Sequence, residues 1–140
     1  MVDWIYTNIK EGSTVLELGS GNGTAELVKK YKVYSVEEDI HWMHKVKESN
    51  YIWAPIENGW YDISFIDKIK KDYDVLLIDG PAHGEREGIL KYINSFYNGS
   101  LIIMDDIERT KDFRCMEKLC ELLHKNYTIY SGSKPFGVIK

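Results

Sequence analysis

Apolar residues fall along this chain in two alternating rhythms. Short, mostly apolar runs rich in β-branched residues lie at 14–18, 32–36, 51–53, 73–78, 101–104, 127–130 and 136–139, and each predicts a strand. Helical spacing takes over between them. Leu27, Val28 and Tyr31 share one face over 25–31, and Ile63, Ile66 and Ile69 follow Asp62. Ile89, Leu90, Ile93, Phe96 and Tyr97 lead to a stop at Gly99. Phe113, Met116, Leu119, Cys120 and Leu123 form the clearest stripe, closing near Asn126. A helix over 40–48 with Asp39 as its cap, and a short one over 4–9, complete the set.

The runs at 73–78 and 101–104 are nearly all apolar, as a parallel strand buried on both faces requires. The last two runs are joined by residues 131–135 alone, too short for a crossover helix, so they pair as an antiparallel hairpin. The expected fold class is α/β: a single doubly wound, seven-stranded, mostly parallel sheet with a C-terminal antiparallel hairpin and helices on both faces. No linker, repeat or low-complexity tract interrupts the chain, so residues 1–140 are expected to form one domain. Ligands of such sheets bind outside the C-terminal ends of the strands, which confines the search to a few loops.

Composition narrows the partners. With 44% hydrophobic and 29% charged residues the chain is an ordinary globular one, not disordered or fibrous. A net charge of −4 disfavours broad binding to nucleic acid or to an anionic membrane. Cys115 and Cys120 lie on different parts of one helix surface, with no zinc-like spacing, and read as reduced, partly buried thiols. The N-terminal residues lack a basic stretch followed by an apolar run, and no window is long and apolar enough to span a bilayer. A soluble, cytoplasmic protein is expected. Four Trp and ten Tyr exceed what such a core needs, which points toward an exposed apolar face and a homodimer.

Chemistry concentrates after the first strand. Glu17 is followed by Gly19, Gly21 and Gly23, alternating, between a strand and a helix. Such glycines let backbone turn tightly and pass close to a ligand. The spacing differs from the dinucleotide fingerprint because Thr24 stands where its third glycine belongs, and no Gly-Lys-Ser/Thr follows to make a P-loop.

On these residues the chain resembles the class I S-adenosylmethionine-dependent methyltransferases, whose first motif is an acid followed by three alternating glycines. That family also carries an acid at the end of its second strand, where Glu37 stands here. The resemblance covers essentially the whole chain and implies S-adenosylmethionine as cofactor. Glu37 would accept hydrogen bonds from the ribose hydroxyls, with Glu38 a competing candidate or a solvated charge at a helix start. Glu17 would hold the loop or the cofactor's ammonium group. The sequence departs from many relatives after the third strand. Trp53, Ala54, Pro55 and Ile56 stand where an acid binds adenine, which leaves backbone groups, or stacking on Trp60 or Trp42, both equally suited to packing.

The fourth strand ends at Asp79, with His83 four residues on, and the fifth ends at Asp105 and Asp106. Adjacent parallel strands would gather these three carboxylates at one rim, where they repel unless something positive lies between them. The arrangement looks like that of cation-dependent small-molecule O-methyltransferases, which implies Mg²⁺ or another divalent cation on Asp79, Asp105 and Asp106; hydrated or helix-capping acids are the alternative. Asp79 also stands with the cofactor-binding set. His83 reads as a general base, a further ligand or an exposed loop residue. Arg86 and Arg109, near the same rim, read as binders of an acidic substrate group or as surface charges.

The expected function is methyl transfer from S-adenosylmethionine to a small-molecule acceptor, through a hydroxyl oxygen. The alternatives are a non-catalytic S-adenosylmethionine-binding subunit and another adenosylmethionine-using transferase on the same fold, such as an aminopropyl transferase. A nicotinamide oxidoreductase is disfavoured by Thr24.

Overall fold

The computed structural model describes residues 1–66, 69 and 72–140. Its elements run α1 (Val2–Asn8), β1 (Thr14–Leu18), α2 (Asn22–Leu27), β2 (Lys32–Glu37), β3 (Asn50–Trp53), β4 (Ile56–Glu57), β5 (Trp60–Tyr61), α3 (Ile63–Ile66), β6 (Val75–Ile78), α4 (Gly88–Phe96), β7 (Leu101–Met104), α5 (Thr110–Leu123), β8 (Tyr127–Tyr130) and β9 (Phe136–Ile139). Seven strands form one sheet in the order β3-β2-β1-β6-β7-β9-β8. Neighbours from β3 to β7 are parallel, while β9 inserts antiparallel between β7 and β8. This is the expected sheet. Chain order reverses at β1, whose neighbours are β2 and β6, so the crevice outside the β1 end is the switch point where doubly wound folds bind ligands.

Alternation along each strand divides the core. Leu16, Leu18, Val36, Leu76, Ile78, Ile102 and Met104 face α3, α4 and α5 through Ile66, Ile89, Ile93, Phe96, Cys115, Met116 and Leu119. The intervening residues Val15, Val33, Val75, Leu77, Ile103 and Val138 face α1 and α2 through Ile5 and Leu27. Both faces of the central strands are thus dry, which is why their sequences are uninterrupted apolar runs. Cys115 and Cys120 are free and buried; burial pushes the Cys115 thiol up to about 12. Among the described residues no helix is long and apolar enough to cross a membrane.

One expected helix is corrected. Residues 40–48 form successive turns, not a helix. Asp39 Oδ1 accepts the His41 amide at 2.8 Å, but His44 takes a left-handed conformation (φ 61°) that interrupts any helical ladder. The segment is held instead by Tyr51 on β3, which accepts the Val46 amide at 3.3 Å and packs its ring against His44. The helix expected after Asp62 is present over Ile63–Ile66, and the part of that expectation that falls on residues 67 and 68 lies outside the described residues.

A second, two-stranded sheet, β4 paired antiparallel with β5, follows β3. Its turn is Asn58-Gly59, both at positive φ (51° and 82°), the pair that a tight hairpin demands. This hairpin delivers Trp60 and Tyr61 into the core, so Trp60 packs edge-to-face with Phe96 and Tyr61 and is not exposed for adenine. Trp42 is half-buried, with the Lys45 ammonium 3.8 Å from its ring centroid.

Candidate active site

The crevice outside β1 is built from three strand-end loops. The glycine loop leaves β1 at Gly19, whose φ of 90° favours glycine and whose amide donates to the Val36 carbonyl of β2 at 2.9 Å. A Cβ here would stand 2.9 Å from the Gly80 Cα, so the loop after β1 packs directly on the loop after β6. Gly21 differs. It is extended, and a Cβ on it would meet nothing within 4 Å, so this stretch of backbone presents an unshielded face to the crevice. A cradle of that kind fits a ligand that must lie against the main chain.

Glu17 lies beneath the loop, not in the crevice. Its Oε1 accepts the hydroxyls of Thr24 (2.7 Å) and Ser35 (2.5 Å), and Thr24 Oγ1 in turn accepts the Gly21 amide at 2.9 Å. Burial raises the Glu17 carboxyl to about 7 against the opposing effect of those two hydroxyls. Of the two roles open to Glu17, the geometry is that of holding the loop.

Glu37 closes β2 and is 4% exposed. Its Oε2 accepts the Ser20 amide, and its Oε1 the amides of Glu38 and Asp39, all at 2.8 Å. One carboxylate therefore joins the glycine loop to the loop after β2 and retains capacity for a further donor. Glu38 reaches in the opposite direction. Its Oε1 accepts the amides of Ala82 (3.1 Å) and His83 (2.9 Å), and it pairs with the His83 imidazole Nδ1 at 3.1 Å. The Glu38 side chain is buried while the His83 ring is exposed, and the carboxylate raises the His83 pKa.

The rim of β6 and β7 brings Asp79, Asp105 and Asp106 together as expected, but around a side chain. Arg86 is 7% exposed, and one of its terminal nitrogens lies 3.3 Å from Asp79 Oδ1 and 3.1 Å from Asp106 Oδ2. The other lies 3.7 Å from Asp112 Oδ2 and donates to the Asp105 carbonyl at 2.6 Å, while the Asp79 carbonyl accepts from the first. Arg109, largely exposed, caps the same Asp106 and Asp112 from outside. The Asp105 carboxylate does not bond to Arg86, and its Oδ1 is buried and unpartnered among the described residues. Among the described residues no group of three His, Cys, Asp or Glu side chains is arranged to hold a metal ion. The donor set of Asp79, Asp105 and Asp106 does not fit a divalent cation, because Arg86 already fills the position between the first and the last.

Sequence reasoning read Arg86 as a ligand for substrate or a surface charge, and missed Asp112. The available signal was the electrostatic requirement itself: three converging carboxylates needed a cation, and Arg86 follows Asp79 by seven residues. Asp79 remains half-exposed, and burial, reinforced by Asp105, raises its carboxyl to about 6 despite Arg86. Beside it opens a cavity of about 440 Å³, lined by Asp79, Pro81, Ala82, Glu85, Asp106 and Arg109 among others. Both acidic and basic side chains line it.

No protein-family model matches the sequence, and no curated protein sequence matches it. Solved structures do match in three dimensions. A precorrin-6y C5,15-methyltransferase from Geobacter metallireducens superposes with a TM-score of 0.67 at 10% identity, over 95% of this chain and 84% of that one. A methyltransferase from Pyrococcus furiosus gives 0.63 at 18% identity, over 98% and 78%. A methyltransferase of the mycinamycin biosynthetic pathway, solved with Mg, S-adenosylhomocysteine and mycinamycin VI, gives 0.60 at 15% identity, over 99% of this chain and 44% of that one. The seven-stranded sheet, its antiparallel last strand and the glycine loop at its switch point together give this chain the Rossmann-like fold of the class I S-adenosylmethionine-dependent methyltransferases.

Proposed function

We propose that the protein transfers a methyl group from S-adenosylmethionine to a hydroxyl oxygen of a small molecule. The observation that carries this reading is the open backbone at Gly21, set between Glu37 at the end of β2 and Asp79 at the end of β6. Gly21 and Gly23 would pass beneath the methionine part of the cofactor, and the remaining acceptor capacity of Glu37 would take a ribose hydroxyl. Glu38 would border the site through the loop that it holds. When bound, the cofactor supplies an electrophilic methyl group on a sulfonium.

Asp79 is suited to the proton side of the reaction. Its carboxylate is half-exposed beside the cavity and is raised to about 6, so above that pH it is ionised and basic enough to take the proton of an acceptor hydroxyl. The hydroxyl proton would pass to an Asp79 carboxylate oxygen, while the cofactor held by Gly21, Gly23 and Glu37 would supply the methyl group. The remaining contribution of the protein is proximity and orientation. His83, held by Glu38 at the mouth of the crevice, is the alternative proton acceptor.

The cavity's mixed, predominantly acidic lining favours a polar, hydroxylated acceptor over a polyanion such as nucleic acid. The test is a panel of hydroxylated small molecules assayed for adenosylhomocysteine release with wild type and Asp79→Asn. Release with an oxygen acceptor that falls with Asp79→Asn supports the reading. Cofactor binding without turnover on any acceptor would leave a non-catalytic binding subunit, and a carbon-methylated product would overturn the oxygen assignment.

A further inference from the structure

We propose that Arg86 is the resident cation of the acidic rim, standing where a divalent ion would have to bind, so that this site functions without metal. The inference concerns metal binding and does not rest on methyl transfer. A hard divalent cation draws six or more oxygens to roughly 2.0–2.6 Å around a single point. Here the carboxylates of Asp79, Asp106 and Asp112 converge instead at 3.1–3.7 Å on the two ends of one guanidinium.

The guanidinium is placed with little freedom. Its side chain is almost wholly buried, and the carbonyls of Asp79 and Asp105 accept from it at the ends of β6 and β7. A planar fork of five donors matches this ring of carbonyl and carboxylate oxygens, and it stays charged at every physiological pH. A metal entering the same space would meet that fixed positive charge at close range, and Arg109 adds a second one on Asp106 and Asp112. Arg86 is in this sense a positioning residue: it fixes the rotamer of Asp79 and satisfies charges that an ion would otherwise satisfy.

The experiment is calorimetric titration of the full chain with Mn²⁺ and with Ca²⁺, at millimolar concentrations, on wild type, Asp106→Asn, Arg86→Met and Arg86→Met/Asp106→Asn. Wild type is expected to show no stoichiometric binding. Arg86→Met, which removes the cation between Asp79, Asp106 and Asp112, should bind one Mn²⁺ at least about tenfold more tightly, and the Asp106→Asn change should abolish that gain. A structural role alone would lower the stability of Arg86→Met without creating a metal site. One-to-one Mn²⁺ binding by wild type that is lost in Asp106→Asn would overturn the proposal, and so would a folded Arg86→Met that gains no affinity. Should Arg86→Met fail to fold, the wild-type and Asp106→Asn titrations decide the matter alone.

Discussion

Glu38 and His83 are joined twice, through the His83 amide at 2.9 Å and through the imidazole Nδ1 at 3.1 Å, although 45 residues separate them in the chain. Because β2 and β6 flank β1, this pair ties the loop after β2 to the loop after β6 across the start of the glycine loop. The carboxylate raises the His83 pKa, so the charged pair is complete below the ordinary histidine value and is lost as pH rises through the higher, folded value. In Glu38→Gln the His83 titration followed by NMR should move back toward an unperturbed imidazole. An unchanged titration would mean that the pair does not form in solution.

Glu37 and Glu38 should separate cleanly by mutation. Glu37→Ala leaves the amides of Ser20, Glu38 and Asp39 without their carboxylate and removes the residue proposed to take a ribose hydroxyl. Charge-assisted hydrogen bonds are worth about 1.5–3 kcal/mol each, so its affinity for S-adenosylhomocysteine should fall at least about tenfold and its melting temperature should drop. Glu38→Ala should lose less affinity. Calorimetry on the two variants decides, and a larger loss for Glu38→Ala would reverse the assignment.

Gly19 and Gly21 predict opposite phenotypes. Gly19→Ala forces a Cβ onto a left-handed residue and against the Gly80 backbone, which should cost about 1–3 kcal/mol of stability. Gly21→Val adds its side chain in open space on an extended residue, so its melting temperature should stay near that of wild type. Binding of S-adenosylmethionine should nevertheless be lost, because the added methyls occupy the cradle. Wild-type affinity in Gly21→Val would move the cofactor elsewhere.

Asp79 sets the expected pH dependence of turnover. With its carboxyl raised to about 6, activity should climb as pH rises through that value and the group ionises. Asp79→Asn should remove the inflection and lower kcat by about a hundredfold or more, with cofactor affinity little changed. Retention of the inflection in Asp79→Asn would transfer the role of base to His83.

Glu17 predicts a pH dependence of stability. Its carboxyl is raised from 4.5 to about 7 on folding, so the protonated form favours the native state and stability is lost as pH rises between those values. Glu17→Gln keeps an acceptor for Thr24 and Ser35 without the buried charge. It should therefore be more stable than wild type at pH 8, by about 1–3 kcal/mol, and no more stable at pH 4. Denaturant melts at the two pH values give the comparison.

The sheet was legible in the sequence because its determinants are local. A strand buried on both faces reads as an unbroken apolar run, as in β6 and β7, and a five-residue connection admits only a hairpin between β8 and β9. The glycine loop and the acids at strand ends were legible for the same reason, and Asn58-Gly59 carried a hairpin signal that went unread. Residues 40–48 were misread because their local spacing suits a helix, whereas Tyr51 and the left-handed His44 hold them in turns. Tertiary structure alone decided the charges of the site. Arg86 lies 19 and 20 residues from Asp105 and Asp106, and neither its burial nor the unpartnered Asp105 oxygen leaves any periodic trace. Periodicity reports which face of an element is dry, but the neighbours of a charge depend on how separate strand ends meet, and that is settled only when the sheet closes.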